Sequence, residues 1–314
     1  MRILSDTNID FLTWRWHALL LSGVILAAGL TTMGTRGIPL GIDFSGGTAI
    51  VVKFQQPTSE DTVRQALPAG YGNAVVQRYG PDDAHEVLIR LPLPGDGQTG
   101  EIDQAAVDVL AALQANIGTI DVLSNDFVGP VIGEDLTRKG IWATLFALGG
   151  ILVYIGLRFR FTFALGAIVA VFHDILVTLA CLTWFNFELS LNVIAAILTI
   201  AGYSVNDTIV VFDRVRENQR LQRRVPLRDI VNRSVNQTLS RTIITSGTTL
   251  LAVGSLFVLG GEVLRSFAFT MIAGLITGTY STVFIASAIA IMLNRPPRGQ
   301  VATQAQAKAR RARA

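Results

Sequence analysis

Asp207 is a carboxyl group inside an otherwise largely apolar run, residues 191–212. At helical spacing Tyr203, Asn206 and Asp207 share one face, and Thr199 lies one turn further along it. Six residues separate Asp207 from the charged end of the run, which is about 9 Å of helix. An ionised carboxylate at that depth needs a cation, water or a proton of its own. Asp207 is therefore the first candidate for chemistry.

Arg241 is the first candidate for a partner to Asp207. It begins the next apolar run at the same end as Asp207, and its long side chain can reach inward. The alternative is that Arg241 only anchors its helix to lipid headgroups. We predict an ion pair because Asp207 otherwise has no partner.

A second polar pair, His173-Asp174, lies near the middle of the apolar run 161–185. Polar residues inside a membrane helix are costly and are functional candidates for that reason. The pair is compatible both with a hydrogen bond between packed helices and with a proton relay. Adjacent helical residues point about 100° apart, so the two side chains need not serve one purpose.

The composition indicates a membrane protein. Half of the 314 residues are hydrophobic and 16% are charged, with a mean hydropathy of +0.47. A membrane-spanning helix needs about 20 apolar residues. Six runs satisfy this length approximately: 16–33, 141–157, 161–185, 191–212, 243–260 and 267–293.

The distribution of arginine predicts the orientation of the six spans. The connection 213–241 carries eight arginines, whereas the turn 186–190 carries none. By the positive-inside rule, both termini are cytoplasmic and residues 36–138 form an exported, periplasmic domain. Residues 1–35, which comprise the N-terminal segment and the first span, are also compatible with a cleaved signal peptide. Its length and the odd number of spans left after cleavage favour a retained helix.

Residues 36–138 have the composition of a water-soluble domain. Apolar and β-branched runs predict strands at 48–54, 74–79, 86–91 and 119–123, the last continuing towards 127. Helical segments are predicted after Thr58 and over 103–115. The order β-α-β-β-α-β is that of a ferredoxin-like fold. We predict an α-helical polytopic membrane protein, six transmembrane helices with an inserted α+β ferredoxin-like domain.

Several kinds of site are not expected. The single cysteine, Cys181, cannot form an intrachain disulfide, and three histidines without a spaced cluster predict no metal site. The glycine-rich Phe44-Ser45-Gly46-Gly47 lacks the lysine and helix of a nucleotide loop. We predict no enzymatic activity, no cofactor and no nucleic-acid binding. The basic tail, 295–314, is interpreted as a solvated end attracted to lipid.

Two further patterns concern the five-helix bundle, 139–294. Apolar residues recur at helical spacing over 226–239, which predicts an amphipathic segment at the cytoplasmic surface before the fifth span. In the sixth span, Gly274 and Gly278 form a small-x-x-x-small pair, which predicts close helix packing.

Four segments resemble the SecF family of protein-export membrane proteins. They are Gly41-Ile-Asp43-Phe-Ser-Gly46-Gly47-Thr48, the stretch 202–214 around Asn206-Asp207, the stretch 237–245 around Arg241, and Gly278-Thr-Tyr-Ser281. The resemblance runs from about residue 12 to residue 295, and the motif around Asp207 is highly specific.

The resemblance implies a subunit that works with SecD, SecYEG and YajC in the bacterial inner membrane. It implies that proton flow helps to move an unfolded polypeptide across the membrane, with Asp207 and Arg241 on the proton path and a less defined role for His173 and Asp174. Tyr203 and Asn206 share the face of Asp207 and are included in the predicted pathway.

Three other functions are compatible with parts of the pattern. A small-molecule exporter of the RND type should carry a second exported domain and a second set of spans. An intramembrane aspartyl protease should carry Gly-x-Gly-Asp, whereas Asp207 follows Ser-Val-Asn. A purely structural subunit would keep Asp207 and Arg241 as an inert pair.

Overall fold

The structure is a computed structural model that describes residues 7–72, 74–79, 84–91 and 99–294, without the side chains of residues 99–103, 130, 262 and 263. Residues 80–83, between the second and third predicted strands, and the basic tail, 295–314, lie outside the described residues.

Six helices in the described part of the chain are long and apolar enough to cross a membrane. Their bounds are Phe11–Arg36, Val131–Arg158, Phe161–Trp184, Leu191–Leu221, Leu227–Leu259 and Leu264–Leu293. The predicted number of spans and the insertion between the first and second are confirmed.

The elements follow one another in a simple order. A 3₁₀ turn, Phe11–Trp14, leads into α1 (Arg15–Arg36), and a short helix α2 (Ile42–Ser45) precedes the sheet. The inserted domain contains β1 (Gly47–Phe54), α3 (Glu60–Ala66), β2 (Val75–Tyr79), β3 (Glu86–Leu91), α4 (Thr99–Asn116) and β4 (Ile120–Val128). The bundle continues with α5 (Pro130–Arg158), α6 (Phe161–Trp184), α7 (Leu191–Leu221), α8 (Leu227–Leu259), α9 (Gly261–Ser281), a π-helical stretch (Thr282–Ala286) and α10 (Ser287–Leu293).

The inserted domain is a four-stranded antiparallel sheet with two helices on one face. The strand order is β2-β3-β1-β4, which is the ferredoxin-like order. Alternate residues of β1, Ile50, Val52 and Phe54, point towards α3 and α4 and are buried with Val63 and Val109. The predicted fold of this domain is confirmed.

Glycine is required where the chain enters β1. Gly46 and Gly47 follow α2 with φ angles of 67° and 113°, which residues that carry a Cβ rarely adopt. The Phe44-Ser45-Gly46-Gly47 segment therefore leads from α2 into a strand and is not followed by a helix.

The segment 226–239 differs from its prediction. It is the first part of α8, which runs without interruption from Leu227 to Leu259. Between Pro226 and Gly247 the sequence contains neither proline nor glycine, so the helix that begins in the amphipathic segment continues directly into the span. Its apolar face, including Val231 and Val235, is buried in the main core of the bundle rather than lying on a surface.

The middle of the bundle is formed by α6, α7 and α9. Phe212 of α7 is 1% exposed and packs edge-on against the rings of Phe159 and Phe163. The glycine pair on α9 faces α7: a Cβ on Gly274 would lie 2.3 Å from Ile200, and one on Gly278 would lie 3.2 Å from Ser204. The predicted close helix packing is confirmed.

Candidate functional site

The carboxyl group of Asp207 lies half-buried on α7 and is held on one side only. Its Oδ1 accepts a 2.6 Å hydrogen bond from the hydroxyl of Thr242 on α8. Its Oδ2 is buried and has no hydrogen-bond partner among the described residues. Thr282 lies beside the carboxyl, and its hydroxyl is also 2.9 Å from that of Thr208, a contact in which either hydroxyl can be the donor. A buried acceptor left unpaired costs about 1–3 kcal/mol.

The structure does not join Asp207 and Arg241 in the predicted ion pair. The guanidinium of Arg241 is exposed and forms no hydrogen bond or ion pair with any residue that the structure describes, although its charge acts on Asp207 through space. Neighbouring helical residues point about 100° apart, so turning Thr242 towards α7 turns Arg241 away.

Asp174 is fully buried and takes part in three hydrogen bonds. Its Oδ2 accepts from Ser204 at 2.6 Å and from Ser281 at 2.7 Å, and its Oδ1 lies 3.0 Å from Nδ1 of His173. These three partners lie on α7, on α9 and on its own helix α6. The sequence left two roles open for His173 and Asp174, a hydrogen bond between packed helices and a proton relay. The hydrogen bonds from Ser204 and Ser281 to Asp174 correspond to the first role.

A row of hydroxyl groups lies between the carboxyl groups of Asp174 and Asp207. Ser281 on Asp174 is followed directly by Thr282, whose hydroxyl contacts Thr208. Thr282 also begins the π-helical stretch, and Ser287, the first residue of α10, donates to the Thr282 carbonyl at 3.0 Å. Such π-helical turns widen a helix locally and occur frequently at functional sites.

One polar face of α7 is uncovered in this chain. Thr199, Gly202 and Asn206 are exposed, and Tyr203 is half-buried with its hydroxyl 3.4 Å from Thr249. The structure thus places Tyr203 and Asn206 beside Asp207, as predicted. Polar groups at membrane depth normally face a bundle interior or a water-filled cavity, so this face needs a cover.

The glycine-rich motif lies far from Asp207, at the other end of α7. Asp43 Oδ2 accepts a 2.9 Å hydrogen bond from the backbone N–H of Leu191, the first residue of α7. Gly41 donates to the backbone carbonyl of Leu189 at 2.8 Å. Gly46 and Gly47 shape the adjoining turn.

The sequence interpretation missed the hydroxyl partners. Thr242, Ser204 and Ser281 bind the two carboxyl groups, yet serine and threonine are common in membrane helices and usually bond to their own backbone. The detectable signal was their position: Thr242 follows Arg241, and Ser204 lies within the polar stretch of α7. In the part of the chain that the structure describes, no cluster of metal-ligating side chains occurs.

Two family models match the chain. The model described as protein export membrane protein SecD/SecF, C-terminal, matches residues 108–296, and the SecD/SecF GG motif matches residues 32–58. The second match covers Gly41, Asp43, Gly46 and Gly47.

Relatives of similar length carry the name protein translocase subunit SecF. The protein from Vibrio alginolyticus is 42% identical over 92% of this chain and 91% of its own length. The protein from Escherichia coli O157:H7 is 40% identical over 90% of this chain and 87% of its own length.

Solved structures with this architecture are longer. The crystal structure of SecDF from Thermus thermophilus, titled a translocon-associated membrane protein, superposes with a TM-score of 0.82 at 38% identity over 93% of this chain. A second SecDF structure, titled the Super-membrane-facing form, gives a TM-score of 0.67 at 37% identity. This chain spans about 40% of the length of the first.

Six spanning helices, an inserted ferredoxin-like domain and two carboxyl groups inside the bundle define a multi-pass membrane protein with a polar interior site. The chain belongs to the SecD/SecF family of protein export membrane proteins.

Proposed function

We propose that this chain is the SecF subunit of a bacterial Sec protein-export apparatus and that it uses the proton gradient, together with SecD, to promote translocation through SecYEG. YajC is a further proposed partner. In this proposal the protein lies in the inner membrane with both termini cytoplasmic and the inserted domain periplasmic. Protons are the coupling ion, and no cofactor takes part.

The observation that carries the proposal is the half-satisfied carboxyl of Asp207. One oxygen is held by Thr242, while the other is buried without a hydrogen-bond partner among the described residues. A carboxyl that is not fully held in its ionised form can bind a proton without first breaking a network. Asp174, whose carboxyl group takes part in three hydrogen bonds, is a poorer proton carrier because its network must first be broken.

The uncovered polar face of α7 supports SecD as the partner. Thr199, Gly202 and Asn206 are exposed on the chain alone, and lipid cannot satisfy the side-chain amide of Asn206. The Thr199 hydroxyl donates to the Ala195 carbonyl of its own helix at 2.7 Å. A second set of helices packed on this face would enclose Asp207 and Arg241. The relative named SecDF combines both proteins in its name and is about two and a half times as long as the matched part.

The proposed cycle begins with uptake of a proton by Asp207 from the periplasmic side. Protonation removes the charge that attracts Arg241, and loss of the proton towards the cytoplasm restores it. Because Thr242 links the same carboxyl to α8, each change alters the contact between α7 and α8. The cycle thereby converts proton flow into a relative movement of helices.

The test is the substitution Asp207→Asn in cells that depend on this protein. Export of a secreted precursor is followed by pulse-chase labelling while the proton gradient is set by ionophore at constant sodium. We expect the gradient-dependent part of export to fall about tenfold or more, as for removal of an essential proton carrier.

The matched control is Asp213→Asn, the same change on the same helix. Asp213 is partly exposed and forms an ion pair with Arg158 at 2.6 Å. Export at the wild-type rate in Asp207→Asn, with a normal response to the proton gradient, would refute the proposal.

A further inference from the structure

The connector between α1 and β1 is bound to the turn that precedes α7. The backbone N–H of Leu189 donates to the carbonyl of Pro39 at 2.7 Å, and the N–H of Gly41 donates to the carbonyl of Leu189 at 2.8 Å. These two bonds form a short parallel β-bridge between Leu40 and Leu189. The entrance to the inserted domain and the start of α7 are therefore joined through their backbones.

Asp43 provides a second link, because it caps α7 from a distance of 148 residues along the chain. Its Oδ2 accepts from the N–H of Leu191 at 2.9 Å, while Ser190, the local cap, accepts from Val193 at 3.3 Å. The first N–H groups of a helix have no partner within the helix, and a negative charge there is favoured by the helix dipole. Asp43 is thus bound to α7 by both a hydrogen bond and its charge.

Arg90 provides a third link, which starts from the sheet itself. Its Nη2 forms an ion pair with Glu188 in the turn between α6 and α7, and its Nη1 donates to the carbonyl of Leu40 at 3.0 Å. The side chains are only 13% and 20% exposed. A single guanidinium therefore holds β3, the connector and the turn before α7 together.

The opposite side of the connector rests on α5. Gly133 lies against Gly46, where an added Cβ would be 3.5 Å from the Gly46 nitrogen, and Gly140 lies against the ring of Phe44 at the same distance. The connector is consequently enclosed between two membrane helices rather than free to swing.

We propose that residues 39–46, Arg90 and residues 188–191 form a rigid joint that fixes the inserted domain to α7, with Asp43 and Arg90 as the positioning residues. Through it, a displacement of α7 moves the domain. The transmission part of this proposal rests on the proposed function, whereas the rigidity of the joint does not. Asp207 lies about 24 Å from the joint along an unbroken helix, which is stiff over such a length.

The rigidity is tested on the full chain in lipid nanodiscs with the partners that copurify with it. Spin labels are placed at two exposed positions, Gln65 on α3 and Leu259 at the end of α8, after replacing the native Cys181 by alanine. The width of the distance distribution between the labels reports movement of the domain relative to the bundle.

The variants remove and restore the pair between Arg90 and Glu188. We expect Glu188→Gln and Arg90→Glu each to broaden the distribution about twofold. The double change Arg90→Glu with Glu188→Arg should restore it in part, because a glutamate at position 90 cannot donate to the Leu40 carbonyl. Asp61→Asn, which removes an exposed ion pair with Arg64 in the same domain, should leave the width unchanged. Glu188→Gln is a nearly isosteric change that preserves folding. An unchanged width of the distance distribution in this variant would refute the proposed rigid joint.

A second pair of variants separates the charge of Asp43 from its hydrogen bond. Asp43→Asn retains an acceptor for Leu191, so we expect a smaller broadening than in Asp43→Ala. Equal widths for Asp43→Ala and the parent protein contradict its positioning role.

The transmission is tested by measuring proton uptake and export together. We expect Glu188→Gln to retain gradient-driven proton uptake into vesicles while export falls several-fold, because the proton cycle is then uncoupled from the domain. Wild-type export despite a broadened distribution refutes the transmission. Failure of the proposed function is recognised separately, by wild-type export in Asp207→Asn.

Discussion

The hydroxyl of Thr242 donates a 2.6 Å hydrogen bond to Oδ1 of Asp207, across the contact between α7 and α8. This bond replaces the ion pair that the sequence predicts between Asp207 and Arg241. It makes the threonine the protein group that orients the carboxyl, while Arg241 remains exposed beside it. The consequences can be measured.

Thr242→Val should weaken gradient-dependent export without abolishing it. Valine has nearly the shape of threonine but cannot donate, so the carboxyl loses the hydrogen bond from position 242 that orients it. The loss of one hydrogen bond to a charged group, about 1.5–3 kcal/mol, corresponds to roughly a tenfold or larger change. Pulse-chase export assays provide the measurement.

The control for this variant is Thr248→Val on the same helix. Thr248 is exposed and its hydroxyl donates only to backbone carbonyls of α8, such as that of Ile244 at 2.9 Å. Equal export defects in the two variants would show that the effect of Thr242 comes from α8 itself rather than from Asp207.

We expect Asp174→Ala to act mainly by lowering the stability of the bundle, rather than by blocking one step of export. The change leaves the hydroxyl of Ser204 without its acceptor inside the core, whereas that of Ser281 keeps the Gly278 carbonyl at 3.1 Å. Removing one member of a buried network costs about 2–4 kcal/mol, whereas Ser204→Ala should cost about 0.6 kcal/mol. Thermal unfolding in detergent would show a clearly lower Tm for the aspartate variant.

Gly274→Ala should destabilise the contact between α7 and α9. The new Cβ would lie 2.3–2.6 Å from three atoms of Ile200, so the helices must separate or the isoleucine must move, at a cost of about 1–3 kcal/mol. Shortening Ile200 to alanine in the same protein should recover part of the lost Tm. Gly254→Ala is the control, because nothing lies within 4 Å of its Cβ position.

Acidification of the domain side should open the Arg90–Glu188 pair. Burial raises the pKa of Glu188 above its ordinary value, although the charge of Arg90 opposes this; the charge of Asp43 raises the pKa further. Burial likewise lowers the pKa of Arg90. The pair needs ionised Glu188, so it is lost as pH falls through the raised pKa, at higher pH than for an exposed glutamate.

The appropriate measurement is the width of the spin-label distribution as a function of pH. A raised pKa means that the folded state binds the proton more tightly than the unfolded chain, so acidification through this range does not lower global stability. Arg265 also lines the groove that contains Asp43 and Glu188. The distribution of Glu188→Gln should not respond to pH, and a response there would assign the effect to another group.

The sequence determined the architecture because the pattern is local. Each apolar run is long enough to span a membrane by itself, and the β-branched alternation at Ile50, Val52 and Phe54 sets one face of β1 against the domain core. The spacing of Gly274 and Gly278 likewise predicted a close contact between helices. Asp207 was identified by the same means, since a carboxyl in an apolar run is conspicuous without any knowledge of its neighbours.

Only the tertiary structure decided what each of these carboxyl groups contacts. Whether Asp207 meets Arg241 or Thr242 depends on the rotation of α8 about its axis, and a difference of one residue turns the face by about 100°. Asp174 receives donors from residues 30 and 107 positions away. The link from Asp43 to the start of α7 spans 148 residues and likewise follows from helix packing, which no local pattern records.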